Sequence, residues 1–257
     1  MADDRNASVN SDDVSGEESI TEVINPAPVK EFVDALLTGG KKQIDAWFDS
    51  FNRRPQRFEA FLANIAKNRF PNIVLFDKSR VRLRDKYDRA DYVHASWVDS
   101  YENYRGYILS QAPFDEATER DFWRMVAIVK PIIIVVLGAT VLNDSMVMRK
   151  FWPAVRQCKN VTETRIAVKC AEFEEDHDHD RYDLIVEDRE KVVATPVLTH
   201  YTAWETDKKL PSSLLEFRAT VKILAVQRTK AIVAGEPTRP ILIEIAWRAA
   251  REEINDR

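Results

Sequence analysis

The stretch of this chain best placed to bind an anion lies near its C-terminal end. Residues 240–245, PILIEI, are typical of a short apolar β-strand, and the charged residues after them predict a helix. A strand that leads into a helix N-terminus is a common place to bind an anion or to hold a nucleophile. No Cys, Ser or Gly stands at this junction. The function therefore depends on whether the junction can hold a phosphate without a nucleophile.

Other residues with chemical potential are better explained as structural. Cys158 and Cys170 fit neither a disulfide framework nor a zinc pattern. His177 and His179, in the polar run 174–180, could bind a metal, but neighbouring residues in a turn do not all converge, so a solvated hairpin tip is favoured. His94 and His200 lie in strand-like stretches and are expected to pack or to hydrogen-bond. We predict no metal site, and no pattern indicates a cofactor.

Composition and charge exclude several classes of partner. A formal charge of −4 gives no general attraction to nucleic acid or to an anionic membrane. The longest apolar run, residues 131–139, is too short to span a bilayer. The N-terminus is acidic and polar, unlike a signal peptide, so we expect a cytoplasmic protein. Nothing in the sequence predicts an oligomeric state.

Alternating apolar patterns predict a mixed α/β (α+β) domain at 29–257 after a disordered acidic tail at 1–28. Helices are expected at 28–37, 41–51, 58–66, 116–129 and 212–225, the last with Ser212 or Ser213 as its N-cap. Strands are expected at 81–83, 92–98, 106–110, 132–137, 163–173, 182–188, 191–201 and 240–245. The strand at 132–137 is apolar on both faces, which favours a strand covered on two sides.

Several stretches, in order, resemble the catalytic domain of the classical protein tyrosine phosphatases. They are KNRFPNI at 67–73, FDKSRVRL at 76–83, DYVHASWV at 91–98, YILSQAP at 107–113, DFWRMV at 121–126, FWP at 151–153 and THYTAW at 199–204. The resemblance covers roughly residues 45–251. It implies the family's twisted mixed β-sheet flanked by helices.

The resemblance also implies where a phosphate site would be, and that its nucleophile is missing. The family places a Cys nucleophile in an HCxxGxxR loop, and the corresponding run here is EIAWRAAR at 244–251. Ile245 stands at the nucleophile position, and Glu244 replaces the His before it. Neither loop Gly is present, since no Gly follows Gly235. Only Arg251 matches, at the position of the phosphate-binding Arg.

The remaining positions carried over from the family are only partly preserved. The family's general-acid loop, WPDxGxP, corresponds to residues 204–211, where Thr206 stands in place of the acid. Glu205 or Asp207 could supply a proton, although a solvated turn is the simpler interpretation. Phe70 replaces a pocket Tyr, and its ring could stack on a phenyl group or simply be buried under the sheet edge. Asn72 replaces a substrate-binding Asp, and Trp204 and Asp207 are further pocket candidates.

The chain stops six residues after Arg251, so we expect it to lack the family's C-terminal helices. The leading hypothesis is an inactive phosphatase-like protein (a pseudophosphatase) that binds a tyrosine-phosphorylated protein or acts as a scaffold. One alternative is a weakly active tyrosine phosphatase. Another is a truncated product with no defined function.

Overall fold

The computed structural model describes residues 29–52, 56–84, 90–100, 104–138, 140, 148–204 and 211–231, and the backbone at 242–246. The contacts divide the chain into two compact units, with the boundary between residues 55 and 56. The predicted tail at 1–28 lies outside the described residues, and the predicted domain limits stay a prediction.

The first unit contains helix α1, Val29–Asn52, which reverses direction at Gly40. Gly40 has φ 51° and ψ −137°, a conformation that glycine adopts at little steric cost. The rings of Phe32 and Trp47 stack with their centroids 5.3 Å apart. In a straight helix these residues would lie about 22 Å apart, because each residue advances about 1.5 Å. The unit is therefore a helical hairpin, which confirms the two predicted helices.

The second unit is built on one ten-stranded mixed sheet. In sheet order the strands are β1, β2, β3, β10, β4, β9, β7, β6 and β5, and β8 pairs with β7. Their bounds are β1 Arg80–Arg82, β2 Tyr92–Val98, β3 Tyr107–Ser110, β4 Ile133–Leu137, β5 Cys158–Asn160, β6 Ile166–Glu175, β7 His179–Asp188, β8 Lys191–Ala194, β9 Val197–Tyr201 and β10 Leu242–Ala246. The four central strands, β3, β10, β4 and β9, are parallel, and the outer strands pair antiparallel.

The central strand β4 is covered on both faces, as its continuous apolar sequence predicts. Ile134 and Val136 pack in the larger core, which also contains residues of helix α3, Glu116–Val129. Ile133 and Val135 pack in a second core with residues of helix α4, Leu214–Ala231. Helices on both faces give every side chain of such a strand an apolar environment.

Helix α3 has the predicted bounds, and both of its ends are capped. Asp115 and Thr118 form a capping box, with Thr118 N donating to Asp115 Oδ1 at 2.7 Å. Lys130 ends the helix in the left-handed conformation. The short helix α2, Glu59–Ala63, is followed by a 3₁₀ turn at Ile65–Lys67, which ends one residue beyond the predicted helix at 58–66.

Three strand predictions needed correction. The strand predicted at 163–173 is β6, which begins at Ile166 after a turn and runs to Glu175. The single strand predicted at 191–201 is two strands, because Pro196 lies between β8 and β9 and has no N–H for a ladder. Strand β5 was missed, since three residues are too few to show an alternating pattern. None of the described helices is long and apolar enough to cross a membrane.

Candidate functional site

The parallel strands bring their carboxyl ends to one edge of the sheet. Ile245 of β10 lies in register with Ser110 of β3 on one side and Val136 of β4 on the other. Val136 in turn pairs with His200 of β9. Ligands of open α/β sheets bind outside the carboxyl ends of such strands. This edge is therefore the candidate functional site.

The position predicted for the nucleophile lies inside a strand. The backbone of Ile245 takes part in two parallel ladders, and β10 continues through Ala246, one residue beyond the predicted end. Thr206, Asp207 and Arg251 lie outside the described residues, as does the predicted terminal helix. At this edge the structure therefore describes only the backbone of Ile245, and the roles of Thr206, Asp207 and Arg251 stay predictions.

The segment that carries Phe70 is bound to the carboxyl end of β3 by Gln111. Gln111 Oε1 accepts a hydrogen bond from Arg69 N at 3.0 Å, and its Nε2 donates to Lys67 O at 2.6 Å. Lys67 Nζ also forms an ion pair with Asp121 of α3, at 2.7 Å. The sequence predicted the pocket residues but not this glutamine, because its role depends on a contact across 42 residues.

Of the two interpretations of Phe70, the structure bears on burial, and stacking on a phenyl group stays a prediction. The side chain is half-buried and packs against the larger core, and the Arg69 guanidinium lies 5.6 Å from its ring centroid. The part of the ring that stays accessible could stack on a flat group. Asn72, two residues further, is exposed.

Asn68 organises a buried hydrogen-bond cluster beneath this segment. Its Oδ1 accepts from Tyr92 OH and lies 3.0 Å from His94 Nδ1, and its Nδ2 donates to Phe61 O at 3.1 Å. Burial lowers the pKa of His94 to about 4 and raises that of Tyr92 to about 12. His94 is therefore neutral at pH 7, and its role is structural, as predicted.

His200, on the neighbouring parallel strand β9, is also structural. Its Nε2 lies 2.6 Å from Gly138 O, just beyond the end of β4, and its ring packs 5.4 Å from that of Trp152. Burial lowers the pKa of His200. Like His94, it supports the site edge as a neutral ring, which confirms the prediction.

The segment leaving β9 is held by the start of β7. Asp178 O accepts hydrogen bonds from Thr202 N at 2.9 Å and Ala203 N at 3.2 Å. Trp204 is half-buried against the second core. Ser213 immediately precedes α4, at the predicted N-cap position, and its hydroxyl lies 2.8 Å from Tyr201 OH. Hydrogen bonds thus hold the chain on both sides of residues 205–210.

The tip of the hairpin between β6 and β7 was predicted to be solvated, and only part of it is. His177 is exposed, but His179 is buried and its ring packs 5.3 Å from that of Phe217. Ligand atoms of Asp176, Asp178 and His179 lie within 4.8 Å of one another. These three residues come together because the turn folds His179 back onto α4, whereas His177 does not join them. His179 Nδ1 is 2.7 Å from Asp178 Oδ1, so the contact serves the hairpin itself.

Comparison with known proteins identifies the family. The family model described as "Protein-tyrosine phosphatase" matches residues 64–244. The chain belongs to the protein tyrosine phosphatase family. The matched region contains the Phe70 segment, the parallel strands β3, β4 and β9, and Trp204. The match ends at Glu244, one residue before Ile245.

Curated relatives resemble parts of this phosphatase-like chain. A receptor-type tyrosine-protein phosphatase of Caenorhabditis elegans is 29% identical over 197 residues, 72% of this chain and 13% of its own length. Receptor-type tyrosine-protein phosphatase V of Rattus norvegicus is 30% identical over 70% of this chain and 10% of its own. Mouse tyrosine-protein phosphatase non-receptor type 2 is 36% identical over 45% of this chain. The match spans 28% of that protein, so the chain covers under a third of each of these three relatives.

Solved structures share the fold. The catalytic domain of human protein tyrosine phosphatase non-receptor type 18 superposes with a TM-score of 0.69 at 19% identity, covering 88% of this chain and 80% of that one. A structure described as PTPN18 in complex with HER2 phosphopeptides has a TM-score of 0.61 at 17% identity, covering 84% and 70%. The mixed sheet flanked by helices, predicted from the motifs, is thereby confirmed.

Proposed function

We propose that this phosphatase-like protein is catalytically inactive and binds a tyrosine-phosphorylated protein, as a recognition or scaffolding module in cytoplasmic signalling. The observation that carries the proposal is Ile245. The resemblance puts it at the family's nucleophile position, and its backbone lies at the carboxyl end of the central parallel strands, between β3 and β4.

The chemistry explains why this single position decides the activity. A cysteine phosphatase needs a thiolate that attacks phosphorus and carries the phosphoryl group until water removes it. The side chain of isoleucine has no lone pair and cannot form that intermediate. Glu244, next to it, carries a negative charge that repels phosphate, and the hydroxyl of Thr206, at the general-acid position, is too weak an acid to protonate the leaving group. Three separate requirements of the reaction are therefore unmet.

Binding makes fewer demands than turnover. In the proposal, Arg251 holds the phosphate, because a guanidinium can donate two parallel hydrogen bonds to its oxygens. The accessible part of Phe70 contacts the phenyl ring, and Asn72, Trp204 and Asp207 border the pocket. The similar structure described with HER2 phosphopeptides supports a phosphopeptide partner, and the non-receptor names of several relatives support a cytoplasmic location.

The first experiment measures hydrolysis of p-nitrophenyl phosphate at high protein concentration. We expect no release of nitrophenol above that of the Ile245→Ala variant. Turnover that disappears in Arg251→Ala or Asp207→Asn would contradict inactivity and would favour the weak phosphatase.

The second experiment measures binding of a phosphotyrosine peptide by calorimetry. The Arg251→Ala variant should lose roughly 10-fold or more in affinity, since charge-assisted hydrogen bonds contribute about 1.5–3 kcal/mol each. Arg257→Ala, in the same terminal stretch, is the matched control and should bind normally. Equal affinity in both variants would contradict the phosphate site at Arg251, and a scaffolding role would remain. If the wild-type protein did not unfold cooperatively, the third hypothesis, a truncated product with no defined function, would be favoured.

A further inference from the structure

A cleft separate from the candidate site opens beside strand β5. Its volume is about 390 Å³, and it is lined by Lys150, Trp152, Pro153, Ala154, Gln157, Cys158 and Lys159. Pockets that bind small molecules measure about 300–1,000 Å³, so the cleft is large enough for a small organic ligand. None of these residues belongs to the proposed phosphotyrosine pocket.

The lining of the cleft is positively charged. It contains two ammonium groups and no carboxylate. Lys159 forms an ion pair with Glu119, which also pairs with Arg149 at 3.3 Å, so one carboxylate serves two cations. On the Lys150 side, the Asp180 carboxylate accepts a hydrogen bond from Tyr182 OH at 3.3 Å. A positive excess therefore remains on the cleft wall.

Both ammonium groups are held in place before any ligand arrives. Lys150 Nζ donates to Tyr182 OH at 3.3 Å and lies 4.9 Å and 5.5 Å from the ring centroids of Tyr182 and Trp152. Lys159 Nζ donates to Phe151 O at 3.3 Å. Because these side chains are already ordered, an anion that binds them does not have to immobilise them.

The floor and the far wall are rigid as well. Trp152 is 3% exposed and packs edge-to-face on Phe151, with centroids 4.9 Å apart. The wall is a turn in which Gln157 N donates to Ala154 O at 3.0 Å, and the turn is bound to β6 through Arg156 N and Cys170 O at 2.9 Å. Arg156 has φ 59°, a left-handed conformation that non-glycine residues adopt at a cost of about 1 kcal/mol. The described walls of the cleft are thus held by hydrogen bonds of the fold.

We propose that this cleft binds a phosphate monoester of a small organic molecule. The phosphate lies between Lys150 and Lys159, where a doubly charged anion meets two cations. The organic part lies against the apolar surface formed by Pro153 and Ala154. Inorganic phosphate shares the charged half of this chemistry but not the apolar half, so the two sources can be distinguished.

The chain provides its own reporter of occupancy. It has two cysteines, of which Cys158 lines the cleft and is exposed while Cys170 is buried. Burial also raises the pKa of Cys170, which suppresses its thiolate. Iodoacetamide, a neutral reagent, should therefore alkylate Cys158 first. Mass spectrometry of the modified peptide then measures how fast the cleft is entered.

We expect phenyl phosphate to slow alkylation of Cys158 at least 5-fold at saturation, relative to sodium chloride at the same ionic strength. The Lys150→Met variant, which keeps the length of the stem, should lose most of this protection. Lys191→Met, an exposed lysine on β8, is the matched control and should keep it. Arg251→Ala should also keep it, which separates this site from the proposed phosphotyrosine pocket.

Three results would overturn the proposal. The first is no protection by phenyl phosphate even at a 20-fold higher concentration of the ester, where a weak ligand would still be detected. The second is equal protection in Lys150→Met, which would mean that the anion acts elsewhere. The third is equal protection by inorganic phosphate, which would rule out the organic ester as the ligand.

Discussion

Gln111 hydrogen-bonds to the backbone of Arg69, 3.0 Å away, and so joins the end of β3 to the segment that carries Phe70. A second bond, from its Nε2 to Lys67 O at 2.6 Å, clamps the same segment two residues earlier. One side chain thus sets the position of the aromatic residue proposed to contact phosphotyrosine. The amide replaces two backbone partners that this irregular segment cannot find in a sheet.

Replacing this amide should loosen the Phe70 segment. We expect Gln111→Ala to lower the free energy of unfolding by about 1–3 kcal/mol, because it removes two hydrogen bonds and leaves half-buried backbone groups without them. Urea denaturation of wild type and variant measures the difference. Gln227→Ala, on the exposed face of α4, is the matched control and should be nearly neutral. Equal stabilities for Gln111→Ala and wild type would contradict the clamp.

His94 should make the protein sensitive to mild acid. Its pKa is lowered from 6.5 to about 4, so the unfolded chain binds a proton more readily than the folded one. The stabilising contribution of neutral His94 is complete above pH 6.5 and is lost as the pH falls toward 4. The loss reaches roughly 3 kcal/mol in all, and buried His200, whose pKa is also lowered, acts in the same direction.

Unfolding free energies measured between pH 7 and pH 4 test this dependence. The His94→Gln variant, which cannot take up a proton, should show a shallower slope than wild type. His177→Gln, at the exposed hairpin tip, is the control and should keep the wild-type slope. The same slope in all three proteins would show that His94 does not titrate as its burial implies.

Asp121 should be among the most sensitive charged positions. Its carboxylate, 2% exposed, lies 2.7 Å from Lys67 Nζ and 2.9 Å from Arg124 Nη1. Removing one partner of a buried ion pair costs about 3–5 kcal/mol, because the remaining charge stays buried. Asp121→Asn, which keeps the volume, should therefore lower the thermal midpoint strongly.

An exposed ion pair provides the comparison for Asp121. Lys41 and Asp45 are 2.7 Å apart, but their side chains are 86% and 55% exposed. Water screens such a pair, so Asp45→Asn should change stability by little more than the error of the measurement. If both variants lost the same stability, burial would not be the cause.

Lys130 is a position where a substitution should stabilise the protein. It ends α3 with φ 54° and ψ 57°, and its side chain is exposed. Glycine adopts this conformation without the steric cost of a Cβ, so Lys130→Gly should raise the free energy of unfolding by about 1 kcal/mol. Lys191→Gly, in strand β8, should lower it, since glycine only adds entropy to the unfolded chain there. A loss of stability in Lys130→Gly would contradict the strain.

Local patterns in the sequence determined a large part of this protein. The apolar spacing within 116–129 predicted the bounds of α3, and the structure added the capping box of Asp115 and Thr118. The all-apolar run at 132–137 predicted a strand covered on both faces. The ordered motifs from 67 to 204 predicted the phosphatase family, and the identity of Ile245 is a fact of the sequence. All of these are properties of neighbouring residues.

Contacts between distant segments were decided only by the tertiary structure. The insertion of β10 between β3 and β4 pairs Ile245 with Ser110 and Val136, more than a hundred residues earlier. The same holds for the clamp of Gln111 on Arg69 and for the burial of His179 against Phe217. No periodicity encodes such pairs, because they depend on how the sheet orders its strands. The sequence determined which residue stands at position 245, and the fold decided that its backbone lies between β3 and β4.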